Sequence, residues 1–222
     1  MNLKKNTKTK SQSCILIQAN GNNERLGKFF KQPKHELFFG KKRIIEKIIH
    51  ECKKLKKDIF ISLREGSEVN FNLSGCNVIR CSQTFNRIDT LEQCMPHLES
   101  YGSILILDSD VIIKAEVLKL LKHNSIAVGQ HPRDGKKYGF IDVDPSFNYI
   151  TGNEKEKESS HISIGAYSVD SQLFLKYLKS KVGRENESLL NYYNKHNPSD
   201  LFFSDSHIVL GDINSYMNQL KN

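Results

Sequence analysis

The sequence predicts an α/β protein whose central sheet is largely parallel. Apolar residues at strand-like and helix-like spacing alternate along the chain, which is typical of consecutive βαβ units. Ile104–Leu107 is an uninterrupted apolar run, as expected for a parallel strand covered on both faces. A second run, Cys14–Ile17, leads directly into a loop rich in Gly and Asn. With 222 residues, 38% of them hydrophobic, we expect one domain over 14–222 after a disordered polar tail over 1–13.

Each element is predicted from its own pattern of apolar residues. Helical spacing runs from Ile44 to Leu55, and strand-like segments follow at Asp58–Leu63 and Asn77–Cys81. The charged loop at 153–160, together with a hairpin before it, is predicted to form a small β lid over the substrate. The remaining predicted elements are a helix with apolar face Ile88–Met95, a helix at Ala115–Lys122, a strand at Ser125–Gly129, a hairpin of Gly139–Val143 and Tyr149–Thr151, a strand at His161–Ser168, helices at Ser171–Leu178 and Ser188–Asn194, a short strand near Ile208–Leu210 and a closing helix from Ser215.

Composition narrows the class of protein. The five cysteines lie in apolar stretches without C-x-x-C spacing, so we expect buried, reduced thiols rather than disulfides or zinc ligands. No segment approaches the roughly 18 apolar residues of a membrane span, and we expect a soluble cytoplasmic protein. The net charge of +8 is spread over the chain. Such basicity suits an anionic small-molecule substrate as well as nucleic acid, and does not by itself distinguish them.

The loop that follows the first strand is predicted to bind a polyphosphate. Gly and Asn accept positive φ angles and carry little bulk, so backbone N–H groups over 19–23 can surround an anion. Arg25 and Lys34 add two positive charges, one on a planar fork and one on a mobile chain. An ordinary strand-to-helix loop with solvated basic residues remains the alternative.

Two aspartates follow the strand Ile104–Leu107. Ligands in open α/β folds bind at the carboxyl ends of parallel strands, where Asp108 and Asp110 lie. Alternation along the strand directs both side chains to one side, so one or both can hold a cation against a phosphate. Mg²⁺ is the expected cation, because it is commonly bound by one or two carboxylates plus substrate phosphates. The alternative is an aspartate that caps the helix at Ala115.

Four segments carry a resemblance to a known family. They are the loop Gln18-Ala19-Asn20-Gly21-Asn22-Asn23-Glu24-Arg25-Leu26, the pair Pro33-Lys34, the segment Gly40-Lys41-Lys42-Arg43-Ile44-Ile45-Glu46 and the strand end Leu107-Asp108-Ser109-Asp110-Val111. These resemble the sugar-phosphate and choline-phosphate nucleotidyltransferases, which carry A-A-G-x-G-x-R-L, P-K, G-K-P-x-I-E and G-D-V. Later, Glu154-Lys155, Ile164-Gly165-Ala166-Tyr167-Ser168-Val169 and Asp212-Ile213-Asn214-Ser215 resemble E-K, N-A-G-I-Y-V-F and D-I-D-T. The resemblance spans about Cys14 to Met217.

The chain departs from this family pattern at several positions. Asn23 replaces a loop glycine, Arg43 replaces the proline after Gly-Lys, and Ser109 replaces the glycine before the metal-binding aspartate. Asn214 stands where the second metal-binding aspartate usually falls. A neutral oxygen binds Mg²⁺ more weakly, so Asp212 is the better candidate, with Asn214 beside it and Asp108 as a third candidate.

The resemblance implies a single-domain, three-layer Rossmann-like fold of the glycosyltransferase-A type, with a mainly parallel mixed sheet. It also implies transfer of a nucleoside monophosphate from a triphosphate to a phosphorylated acceptor, with pyrophosphate leaving. Arg25 and Lys34 are then the catalytic residues, acting on the leaving pyrophosphate and on the transferred phosphate. The other implied residues are Ala19, Asn20, Gly21, Asn22, Asn23, Asn86, Thr90 and Asp108 for the nucleotide, Lys155 and Gly165 for the acceptor, and Asp110, Asp212 and Asn214 for Mg²⁺.

Two other functions remain open on the sequence. Asp108-Ser109-Asp110 is a literal D-x-D, which glycosyltransferases of the related fold use to hold a nucleotide sugar through a metal. Such an enzyme has no need of Arg25 and Lys34 around a triphosphate. A basic nucleic-acid-binding module would leave the aspartates unexplained. We therefore expect a nucleotidyltransferase, a monomer or homodimer, with CTP favoured and a sugar 1-phosphate or phosphocholine-like acceptor that leads to surface polysaccharide.

Overall fold

The computed structural model describes residues 12–21, 30–82, 87–130, 140–143, 149–152, 161–180, 189–196, 200–204, 207–210 and 216–217. The strands are β1 (Ser13–Gln18), β2 (Phe38–Phe39), β3 (Lys42–Arg43), β4 (Asp58–Arg64), β5 (Asn77–Cys81), β6 (Ser103–Asp108), β7 (Val111–Ile113), β8 (Ser125–Gln130), β9 (Phe140–Val143), β10 (Tyr149–Gly152), β11 (His161–Asp170), β12 (Asp200–Phe203) and β13 (His207–Val209). The helices are α1 (Ile44–Lys53), α2 (Arg87–Leu98), α3 (Ala115–Leu120), α4 (Ser171–Lys179) and α5 (Leu189–His196), with a 3₁₀ turn at Lys34–Glu36.

One mixed sheet organises the described part of the chain. Its strand order is β10-β9-β11-β6-β1-β4-β5, and β8 pairs with both β11 and β12. The strands β6, β1, β4 and β5 are mutually parallel, whereas β11 runs antiparallel to β6, β8 and β9. Two small ribbons, β2–β3 and β7–β13, lie apart from this sheet. The predicted α/β class with a mainly parallel mixed sheet is confirmed.

Helices cover the sheet on both faces. This is seen at the central strand β1, whose alternate residues belong to two separate clusters of buried side chains. Ile15 and Ile17 pack in a cluster with residues of α1. Cys14 and Leu16 pack on the other face, in a cluster with residues of α2, α4 and α5. All four side chains are 0% exposed, which explains why β1 and β6 read as continuous apolar runs.

The elements that the sequence did not predict are short or lack a strong pattern. They are β2, β3, β7, β12 and the 3₁₀ turn. The helix predicted at Ala115–Lys122 ends at Leu120, and its N-cap is Lys114 rather than an aspartate. The predicted hairpin is present as β9 and β10, with Val143 opposite Tyr149. Of the predicted closing helix, Tyr216 and Met217 are described, both as helical.

None of the five cysteines forms a disulfide, and four of them are buried, as the sequence predicted. Cys76 is only partly buried, in contrast to the prediction. Burial raises the pKa of the Cys52 thiol, because the charged thiolate is disfavoured away from water. Among the described residues, no helix has the length and apolar character needed to cross a membrane.

The contact between β8 and β13 leads to a stability prediction. A methyl group on Gly129 would lie 2.5 Å from both Ile164 Cγ2 and His207 Cε1. We expect Gly129→Ala to lower the free energy of unfolding by about 1–3 kcal/mol, because overpacking forces neighbouring groups apart. Urea denaturation would measure this change. Gly21→Ala is the control, since its added methyl group meets nothing within 4 Å and should leave stability nearly unchanged. Equal stability of the two variants would contradict the packing seen at Gly129.

Candidate functional site

The candidate site begins where the parallel strands β1 and β6 end. Gln18 and Asp108, the last residues of the two strands, are register partners. The backbone N–H of Ala19 donates to the carbonyl oxygen of Ser62 at 3.0 Å, so the chain leaves β1 still attached to the neighbouring strand β4. The loop predicted to bind phosphate therefore starts at the carboxyl edge of the sheet, where open α/β folds bind ligands.

Asn20 is held in place by α2. Its Nδ2 donates to Thr90 Oγ1 at 2.6 Å, and its Oδ1 accepts from Ser62 Oγ at 3.5 Å. Thr90 is 2% exposed and lies inside the helix, so it anchors the loop rather than capping the helix. The structure therefore brings together two of the residues that the sequence assigned to the nucleotide, although they are 70 positions apart.

Lys34 and Asp110 form a close ion pair across the site. Lys34 Nζ lies 2.5 Å from Asp110 Oδ2, and the Asp110 side chain is only 12% exposed. Pro33 precedes the 3₁₀ turn that carries Lys34, and its carbonyl oxygen accepts from the N–H of Glu36 at 2.9 Å. A lysine and a buried carboxylate from distant parts of the chain thus meet just after the end of β6.

A buried polar cluster fixes the turn that carries Lys34. The Glu36 side chain is 4% exposed and lies 3.3 Å from Arg43 Nη1. It also accepts from Asn70 Nδ2 at 3.3 Å. Arg43, which stands where the family that the motifs resemble has a proline, is the N-cap residue of α1. Its backbone N–H donates to Glu46 Oε2 at 2.9 Å. The departure at Arg43 therefore has a structural partner in Glu36.

His35 is a buried neighbour of the ion pair that the sequence did not indicate. It is 6% exposed and packs edge-on against Phe71, with ring centroids 5.9 Å apart. Burial, with a further contribution from the Lys34 charge, lowers the pKa of His35 to about 4. His35 is therefore neutral near pH 7, and the positive charge in contact with Asp110 is that of Lys34.

Asp108 has a different partner from Asp110. Its Oδ1 lies 2.6 Å from Arg87 Nη2, at the start of α2. Because β6 ends at Asp108 and a turn follows, strand alternation does not extend to Asp110 and is not what places its side chain. Arg87 was not predicted as a site residue. Its position, at the head of the helix that follows β5, was the available signal.

Gly165 meets Asp108 from the antiparallel strand β11. Its φ is +75°, and a Cβ there would lie 2.7 Å from Asp108 Oδ2. Only glycine fits this close approach without strain. Gly165 therefore lies directly against Asp108 at the candidate site.

The segment that approaches the predicted second metal ligand is joined to Asp110. The ribbon β7–β13 pairs Val111 with Val209, and the Leu210 N–H donates to the Asp110 carbonyl oxygen at 2.8 Å. This brings the chain two positions before Asp212 to the backbone of Asp110. The predicted residues Asn22, Asn23, Arg25, Asn86, Lys155, Asp212 and Asn214 lie outside the described residues.

The oxygen donors present suit Mg²⁺ in part. Within the described ranges, no group of three or more His, Cys, Asp or Glu side chains is placed to hold a metal. The site does have one buried carboxylate, Asp110, facing a lysine at a strand end. A single carboxylate fits a cation that keeps several waters and uses its substrate as a ligand.

Comparisons with known proteins concern the fold. No family model and no curated protein matches the sequence. Among solved structures, a Bacillus anthracis protein described as a glucose-1-phosphate thymidylyltransferase has a TM-score of 0.76 at 19% identity, covering 94% of each chain. The inositol-1-phosphate CTP transferase of T. maritima has a TM-score of 0.73 at 13% identity and covers 96% of each chain. The UTP-bound UGPase of Acinetobacter baumannii has a TM-score of 0.71 at 13% identity, covering 95% of this chain and 92% of that one.

These similarities cover more than nine tenths of each protein, but the sequence identities are low. They therefore establish the fold, and they agree with the family that the sequence motifs resemble. The chain has the three-layer α/β fold of the nucleotidyltransferases.

Proposed function

We propose that the protein transfers a nucleoside monophosphate from a nucleoside triphosphate to a phosphorylated acceptor, with release of pyrophosphate. The observation that carries this proposal is the Lys34–Asp110 ion pair at the carboxyl end of β6, in a nucleotidyltransferase fold. A cation for phosphate and a buried carboxylate for a metal are the two groups that such a transfer requires. The loop at Asn20, anchored to Thr90, lies at the same edge of the sheet.

The roles of the residues follow from the charge that develops in phosphoryl transfer. The backbone over 19–23 binds the triphosphate, with Asn86 and Thr90 near the base. Arg25 neutralises the leaving pyrophosphate, and Lys34 leaves Asp110 to contact the transferred phosphate. Positioning and charge neutralisation supply most of the rate in such reactions, because little covalent chemistry is asked of the protein.

The proposed metal is Mg²⁺, bound by Asp110, with Asp212 as the second ligand and Asn214 beside it. Bound there, it would neutralise charge on the phosphates. The hydrogen bond from the Leu210 N–H to the Asp110 carbonyl oxygen supports this set of ligands. It joins the chain two positions before Asp212 to the backbone of the first ligand. Asp108 is paired with Arg87, which favours Asp110 as the ligand from this part of the chain.

The substrates belong to the proposal as well. Solved structures of this fold include one named for CTP and one bound to UTP, so the base is not decided by the fold. We favour CTP, and a sugar 1-phosphate or phosphocholine-like acceptor held by Lys155 and Gly165, with surface polysaccharide as the destination of the product.

Pyrophosphate release tests this proposal directly. The protein would be mixed with Mg²⁺, each of four nucleoside triphosphates and either glucose 1-phosphate or phosphocholine. We expect one triphosphate to raise Tm, since a ligand at 100 times its Kd adds about 2.7 kcal/mol of stability. The same triphosphate should release pyrophosphate only with an acceptor present.

A glycosyltransferase would give the opposite pattern. It would turn over UDP-glucose with a metal and release no pyrophosphate from a triphosphate. The separate partners of Asp108 and Asp110 disfavour this function, because a D-x-D site would use both carboxylates on one metal. Metal-dependent UDP-glucose turnover without pyrophosphate release would replace our proposal with it.

A further inference from the structure

Arg87 contacts three strands at the candidate site, two of them at their ends. Its Nε donates to Gln18 Oε1 at the end of β1. Its Nη2 lies 2.6 Å from Asp108 Oδ1, and its Nη1 donates to Asp108 Oδ2 at 3.4 Å, at the end of β6. The guanidinium carbon lies 4.8 Å from the ring centroid of Tyr167 on β11. The guanidinium is therefore bound by a carboxylate, an amide and an aromatic face, and cannot move freely to a substrate.

The charge of this arginine is matched to its surroundings. Burial, the largest single contribution, lowers the pKa of Arg87, but Asp108, Tyr167 and Asp110 together outweigh it and the pKa is raised. Arg87 and Asp108 are each less than a third exposed, so water screens their attraction only in part. The site thus contains two ion pairs, Lys34–Asp110 and Arg87–Asp108.

The Asp108 carboxylate is also enclosed from the side of β11. A Cβ on Gly165 would lie 2.7 Å from Asp108 Oδ2 and 2.9 Å from its Cβ. Tyr167, two residues further along the same strand, stacks under Arg87. Asp108 is therefore held between Arg87 and the backbone of Gly165. Asp110 is instead in direct contact with Lys34, and the Arg87 charge acts on it more weakly than on Asp108.

We propose that Arg87 is a positioning residue that keeps Asp108 in an internal ion pair and so reserves Asp110 as the metal-binding aspartate of this segment. The inference rests on the proposed function, since it assigns the metal site of that reaction. Without Arg87, Asp108 and Asp110 would be two carboxylates separated by one residue, and both would be available to a divalent cation. The site would also carry one more negative charge toward a triphosphate.

Binding of Mn²⁺ alone, measured by electron paramagnetic resonance without nucleotide, tests this inference. Carboxylates bind Mn²⁺ as they do Mg²⁺. Arg87→Gln frees the Asp108 carboxylate, and we expect Mn²⁺ to bind on the order of tenfold more tightly than in the wild type. Arg87→Gln with Asp108→Asn should return to the wild-type affinity, and Arg87→Lys should stay near it. Arg80→Gln is the matched control, because this exposed arginine contacts Arg64 and Ser67 on β4 and the turn after it.

Two results would overturn the inference. One is unchanged Mn²⁺ affinity in a folded Arg87→Gln protein, and the other is tight binding that persists in the double variant. If Arg87→Gln does not fold, Asp108→Asn alone decides. With Arg87 in place, it should leave Mn²⁺ affinity unchanged, and weaker binding would make Asp108 a ligand. No arm of this test requires turnover, so failure to detect pyrophosphate release would count against the proposed function alone.

Discussion

Replacing Asp110 by asparagine should reduce kcat/KM for pyrophosphate release by at least about 10³-fold. The variant loses the carboxylate that binds the metal, and a metal ion stabilises the transition state by several kcal/mol. The fold should persist, since asparagine has nearly the same shape and the Leu210 N–H bonds to the backbone of residue 110 rather than to its side chain. Steady-state kinetics at saturating Mg²⁺, with Tm measured alongside, would test both expectations.

The control is Glu99→Gln, which removes a carboxylate from an exposed residue just after the end of α2, away from the site. It should change neither rate nor Tm. Asp212→Asn should raise the Mg²⁺ concentration that gives half-maximal rate. A silent Asp110→Asn variant, or an Asp108→Asn variant that alone removes the metal requirement, would move the site to a D-x-D pair and favour the glycosyltransferase.

Lys34→Ala should lower kcat/KM on the order of 10²-fold, because one fixed positive charge near the transferred phosphate is lost. The side chain is 25% exposed, so its removal should cost little stability. The variant also removes the ion pair that Lys34 forms with Asp110. The Mg²⁺ concentration for half-maximal rate should therefore not rise, which separates the loss of a phosphate contact from damage to the metal site. Single-turnover rates at several Mg²⁺ concentrations would measure this.

Lys41→Ala provides the comparison for Lys34. Lys41 is exposed in the turn between β2 and β3. The substitution therefore removes the same charge close in sequence to Lys34 but outside the site. Its kinetics should match the wild type. Equal rates for Lys34→Ala and the wild type would rule out the assigned role, and equal losses in both lysine variants would indicate a general effect of net charge.

Local patterns were enough for most of the fold. The continuous apolar runs of β1 and β6 indicated strands covered on both faces, and both prove to be buried between helical layers. A buried strand must be apolar on both sides whatever its neighbours are, so this signal is carried by the residues themselves. The 3₁₀ turn and the two-residue strands β2 and β3 are too short to produce a period, and their form depends on contacts such as Arg43 with Glu36.

Some of the residues of the candidate site could also be predicted from the sequence. The sequence determined which residue types stand at the ends of β1 and β6, and so predicted that Asn20, Lys34 and Asp110 would belong to one site. Only the tertiary structure decided which charge meets which. Lys34 pairs with Asp110 across 76 positions, and Arg87 pairs with Asp108 across 21. The partner of each aspartate is set by where a separate turn or helix places its basic side chain in space. Spacing along the chain carries no information about a distance of that kind, because the attraction between charges depends on their separation through space.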